Sequence, residues 1–123
     1  MGTAHYDDAV RRLQEFGRAL ALSPAAADLP ASFSLGYVDS QLWARYSQFD
    51  GKIRVDIHTD GPVKGEAVVL TGEPVLTELL AGSLSVDRAM TDGVILIEGN
   101  EAEKVTIRNA LIAMSFANKI TRR

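Results

Sequence analysis

The amino-acid sequence predicts an α+β fold from three observations. Apolar residues recur every three or four positions at both ends of the chain, which is the helical period. The middle alternates every second residue between glycine-containing turns, which is the strand period. Residues 67–100 then place strand, helix, glycine stop, short helix, turn and strand in one compact run. A length of 123 residues suits a single domain, 1–123, able to bury a core without staples.

The first helix is expected over residues 3–22. Tyr6, Ala9, Val10, Leu13, Phe16 and Leu20 share one face, Asp7 and Asp8 occupy the first turn, and Ser23-Pro24 ends the helix. The alanine-rich linker 24–30 has room for one loose turn. In residues 31–38, Phe33, Leu35 and Tyr37 face one way and Ser32, Ser34 and Gly36 the other. Residues 41–49 also read as a strand, with Trp43 and Phe49 on one side and Leu42, Ala44 and Tyr46 on the other; either side can be the buried one.

Asp50-Gly51 is a two-residue hairpin signal. Residues 53–59 alternate with Ile53, Val55 and Ile57 inward, Asp60-Gly61-Pro62 turns the chain, and 67–70 is the fourth strand. Such short connections predict a four-strand antiparallel meander. Thr71 is expected to cap a helix with Pro74 in its first turn, Gly82 to end it in the left-handed region, and Ser85 to cap a second, short helix carrying Val86, Ala89 and Met90. Val94–Ile97 is an all-apolar strand suited to a covered position. The last helix, 101–120, carries two apolar stripes. Val105, Ile112, Phe116 and Ile120 mark one, broken by Asn109; Ile107, Leu111 and Met114 mark the other. One stripe is enough for a surface helix. The surplus calls for a second protein layer, a partner subunit or an apolar ligand.

Charge and motifs narrow the function. A net charge of -3 with scattered Lys and Arg argues against nucleic-acid binding. The absence of cysteine excludes disulfides, thiolate nucleophiles and cysteine-ligated metals. No apolar run reaches the ~20 residues of a membrane span, and the start lacks a secretory pattern, so a cytoplasmic protein is expected. Tyr6 stands where a myristoylation site needs Ser or Thr. The two histidines, His5 and His58, have no metal-ligand spacing. No GxSxG, GxGxxG or Walker spacing occurs, Gly93 and Gly99 read as turn glycines, and Asp92 and Glu98 as solvated charge. No catalytic residue, metal or cofactor is expected, and the protein is read as a non-enzyme.

The order of elements, with LLAGSL at residues 79–84 and GVILIEGN at 93–100, resembles the sterol carrier protein (type two) family. The motif-bearing part covers residues 70–100. Asn100 stands where aspartate is commoner in that family, and the chain ends in TRR with no peroxisomal signal. The resemblance implies an antiparallel-rich five-stranded sheet with helices packed on one face and an apolar ligand between the layers. Together with the over-apolar last helix, it makes non-catalytic binding or carriage of a lipid the leading expectation. The pocket candidates are Phe33, Leu35, Trp43, Leu80, Met90, Leu111, Met114 and Phe116, whose role would be to desolvate an acyl or ring system. The alternative is an interaction or homodimerisation module, an accessory subunit that buries the Ile107–Leu111–Met114 stripe against a second chain or a partner enzyme.

Overall fold

A computed structural model describes the backbone of residues 2–121 and the side chains of residues 7–114. Tyr6, His5, Phe116, Ile120 and the terminal basic residues therefore lie outside the described side chains. The elements run α1 (Gly2–Ala21), a 3-10 turn (Ala26–Asp28), β1 (Ser32–Tyr37), β2 (Trp43–Phe49), β3 (Lys52–His58), β4 (Ala67–Thr71), α2 (Glu73–Ala81), α3 (Val86–Thr91), β5 (Ile95–Glu98) and α4 (Glu101–Thr121). This is the expected α+β, five-stranded, antiparallel-rich architecture. Asp7 and Asp8 fall one turn later than expected, because α1 already starts at Gly2.

The sheet order is β3-β2-β1-β4-β5. The meander therefore stops at three strands. β4 returns to the far side of β1 and pairs with it in parallel, Phe33 opposite Ala67 and Leu35 opposite Val69. The other three pairings are antiparallel. β3 runs in the same direction as β1 and β4, so residues 59–66 must carry the chain back along the sheet. No hairpin turn can do that, which is why the turn signal at Asp60-Gly61-Pro62 misled the meander reading. Asp50-Gly51, by contrast, makes a true hairpin, with both residues at positive φ (52° and 75°), as a type I′ turn requires.

One face of the sheet is covered by helices. Phe33, Leu35 and Tyr37 of β1, Ala44 and Tyr46 of β2, Val69 of β4 and Ile95 of β5 are all buried there. This settles β2: Ala44 and Tyr46 face inward, Trp43 and Arg45 outward. Ala9, Leu13, Phe16 and Leu20 of α1 close over this face. Phe16 meets the Tyr46 ring edge-on at 5.4 Å, and Phe33 stacks on it at 5.4 Å. The two tyrosine hydroxyls donate to α1 carbonyls one turn apart, Tyr37 to Ala9 (3.2 Å) and Tyr46 to Leu13 (2.8 Å). Gly17 lets the helix approach: a Cβ there would sit 2.5 Å from Val55 Cγ2 and 3.1 Å from Tyr46 Cε1.

α4 packs its Ile107–Leu111–Met114 stripe, with Ala110, into the same core. That stripe is covered within the domain, which removes the basis for assigning it to a partner chain. The Ser23 hydroxyl donates to the Ala110 carbonyl (3.0 Å), pinning the linker after α1 to α4. Asn100 and Glu103 cap α4 reciprocally: Glu103 N–H donates to Asn100 Oδ1 (2.8 Å) and Asn100 N–H to Glu103 Oε1 (3.0 Å). Gly82 ends α2 at φ 79°, and Ser85 caps α3 by accepting from Arg88 N–H, both as expected. The α2 cap differs. Gly72 occupies that position, while Thr71 completes β4 and donates its hydroxyl to the Val94 carbonyl (2.9 Å).

Candidate functional site

The pocket candidates from sequence separate into four places. Phe33, Leu35, Leu111 and Met114 each expose 2% or less, so their surfaces are taken up by neighbouring core side chains. Leu80 is half-buried and lines a shallow cleft between α1 and α2 with Arg12, Glu15, Thr77 and Ala81. Met90 is half-buried on α3, packed against the rim of the core. Trp43 lies on the opposite face of the sheet from Phe33 and Leu35. Its partners in register, Gly36 and His58, belong to that open face, so it cannot share a pocket under the helices. Phe116 lies outside the described side chains.

The open face divides in two along its strands. One half is polar. Arg45 donates to Glu66 through Nε (3.0 Å) and through Nη2, and Nη2 also donates to Ser32 Oγ (3.1 Å), whose own hydroxyl reaches Glu66. The bonded Arg45 guanidinium, more than Ser32, holds the Glu66 carboxyl below its ordinary range, against the opposing effect of burial. Glu66 ends the return segment 59–66, so this cluster fastens that segment to the sheet. Ser34, between Arg45 and Val68 in register, is fully buried, and its hydroxyl has no hydrogen-bond partner.

The other half is apolar. Leu70 of β4 lies opposite Leu96 of β5 on this face. Val38 and Val94 stand two residues beyond Gly36 and before Leu96, on the same side. Val75 of α2 closes the end, above Thr71, Gly72 and Gly93. Together these residues line a groove of about 310 Å³. Val38 is 70% exposed, Val94 41% and Leu96 50%. The apolar run of β5 had suggested a covered strand. β5 is instead the sheet edge, with Ile95 buried toward the helices and Val94 and Leu96 left facing water. Two hydrogen bonds to backbone carbonyls tie the strands together at this end: the Thr71 hydroxyl to the Val94 carbonyl, and Val38 N–H to the Thr71 carbonyl (2.8 Å).

Among the described residues, the shifted titratable groups other than the Arg45–Glu66 pair are two tyrosines of the covered face. Burial pushes the Tyr46 hydroxyl well above its ordinary range, with nearby Tyr37 adding to the shift. Burial raises Tyr37 too, reinforced by the carboxylates of Glu73 and Asp39. Neither phenol is placed to exchange protons near neutral pH. Asp92 pairs with Arg88 (3.0 Å), and His58 Nδ1 accepts from Asp60 N–H (3.2 Å). Among the described residues, no three His, Asp or Glu side chains gather as metal ligands, and no helix is long and apolar enough to cross a membrane.

No protein-family model matches the chain. No curated protein matches it either. Solved structures do. Sterol carrier protein domain 2 of Helicoverpa armigera superimposes with a TM-score of 0.61 at 13% identity, over 86% of this chain and 87% of that one. A ubiquinone synthesis protein, UbiJ-SCP2, superimposes with a TM-score of 0.58 at 12% identity, over 89% of this chain and 94% of that one. The inverting sec-alkylsulfatase Pisa1 from Pseudomonas sp. gives a TM-score of 0.54 at 17% identity, over 79% of this chain, which spans only 16% of the alkylsulfatase. With the strand order, the αL stop at Gly82 and the cap at Asn100 in hand, these likenesses establish that the chain has the fold of the sterol carrier protein 2 domains.

Proposed function

We propose that the protein binds and carries a lipid or similar apolar small molecule and does no chemistry on it. The observation that carries this reading is the groove between α2 and the open-face ends of β4 and β5. Its volume of about 310 Å³ is at the lower end of small-molecule sites, and its walls are aliphatic. Val38, Val94 and Leu96 are held in water around it at a cost that covering them would recover, at about 25 cal/mol per Å² of apolar surface. Two proteins that share the fold are named as sterol carriers, which supports the same class of cargo.

The experiment is native mass spectrometry of the protein purified from cells, followed by solvent extraction and titration with cis-parinaric acid. Bound apolar mass that leaves on extraction is expected, together with saturable probe binding. Leu96→Glu places a carboxylate in the groove wall and should weaken the probe by about tenfold or more, because a charge facing an apolar chain must be desolvated. Absence of bound mass together with absence of probe binding would sink the reading.

A further inference from the structure

The same face holds a second apolar element that the groove does not include. Trp43 is the only tryptophan of the chain. In register, Trp43 lies opposite Gly36, and Gly36 lies opposite Leu70, which in turn lies opposite Leu96. These four residues form one row across β2, β1, β4 and β5. Gly36 has no side chain, and the indole takes the space: a Cβ on Gly36 would lie 2.5–2.6 Å from Trp43 Cζ3, Cε3 and Cη2. The benzenoid ring therefore rests on the β1 backbone at Gly36, one strand from Leu70. Trp43 keeps part of its surface in solvent, although it is the largest apolar side chain available for the core.

Resting on the apolar-cargo reading above, we propose that Trp43 is the other half of the binding surface. The site then runs along the open face from β2 to β5 and takes a molecule with a flat apolar ring system next to an aliphatic portion. The aliphatic portion occupies the groove at Leu70, Leu96, Val38 and Val94, and the ring lies against the indole. Aromatic pairs gain from offset or edge-to-face contact beyond their area, which makes the indole selective for rings and leaves chain binding to the groove.

The size of the groove makes its occupant a small molecule. The exposed lining of the groove is an order of magnitude below the roughly 800 Å² per partner that a stable protein interface buries. On the adjoining half of the face Arg45 pairs with Glu66 and Arg54 with Asp56, so these charges are turned toward one another.

The test compares two fluorescent probes on the full chain: 1-pyrenedodecanoic acid, which carries a ring, and cis-parinaric acid, which carries none. Trp43→Ala should weaken the pyrene probe by about tenfold and change parinaric acid by less than about twofold. Trp43→Phe should restore most of the pyrene affinity. Gly36→Ala, which displaces the indole without deleting it, should also weaken the pyrene probe selectively, and serves if Trp43→Ala misfolds. The proposal is overturned if Trp43→Ala leaves both probes unchanged or weakens them equally. If Leu96→Glu still weakens both in that case, the apolar-cargo reading stands without the Trp43 site. If the unsubstituted protein binds neither probe, both ideas fail together.

Discussion

The two faces of this sheet are made by the same strands and do opposite things. On the covered face, Phe33, Leu35, Tyr46 and Val69 are close to fully buried, and every large ring has a ring or helix against it. On the open face, the alternate positions include serines, a glycine, charged residues such as Arg45, Arg54 and Asp56, one tryptophan and two leucines, some of them wet. Strand alternation makes the separation complete, because consecutive side chains point to opposite sides. The covered face stabilises the fold, and the open face keeps Val38, Val94 and Leu96 in water.

The sharpest way to break this contrast is to delete one ring from each face. Phe33→Ala should cost about 3–5 kcal/mol, the usual result of emptying a core aromatic site. Trp43→Ala, on the open face, should cost well under half of that, because its surface is only partly removed from water. Urea unfolding of the two variants measures both. Equal losses would show that Trp43 is core, and would remove the physical ground for a binding role.

A smaller effect is expected where the helix layer touches the sheet most closely. Gly17→Ala gains helix propensity of about 1 kcal/mol but drives a methyl into Val55 and Tyr46. Overpacking typically costs about 1–3 kcal/mol, so the net change should be a loss of up to about 2 kcal/mol. The methyl meets Val55, a stiff β-branched residue, and a tyrosine whose hydroxyl is anchored to Leu13, so neither gives way cheaply. A Gly17→Ala variant more stable than the parent in thermal unfolding would mean that α1 can lift off the sheet at little cost.

The covered face was largely legible in the sequence, because burial leaves a period. Phe33-Leu35-Tyr37, Ile53-Val55-Ile57 and Leu13-Phe16-Leu20 all face where their spacing puts them. What spacing cannot encode is which strand lies beside which. The move of β4 to the far side of β1 depends on a long-range pairing with no local signature, and it turned an expected hairpin into a crossover. The groove was hidden for the same reason. An all-apolar run such as Val94–Ile97 reads alike at the centre of a sheet and at its edge. Only the edge position of β5 leaves Val94 and Leu96 in water. One signal was present and unread: Asn100-x-x-Glu103 is a capping box, which accounts for asparagine at the turn and places the start of α4.

The smallest prediction concerns the polar half of the open face, where Glu66 fastens the return segment to Ser32 and Arg45. The pair is partly exposed, with side-chain exposures of 36% for Arg45 and 18% for Glu66, so solvent weakens it. Glu66→Gln should therefore lower stability at neutral pH by less than Gly17→Ala does, and its signature lies in the pH dependence. The Glu66 carboxyl titrates lower in the folded chain than in the unfolded one, for which the ordinary value is about 4.5. Its contribution is complete above that pH, where both states are ionised. As the pH falls below about 4.5, the unfolded chain takes up the proton first, and the contribution fades until the folded carboxyl is protonated as well. Urea midpoints taken from pH 7 down to pH 3 should show the parent and Glu66→Gln converging in that acid window. Curves that stay parallel would show that the Arg45 pairing does not favour the ionised carboxylate, and that the segment over the open face is held by its backbone alone.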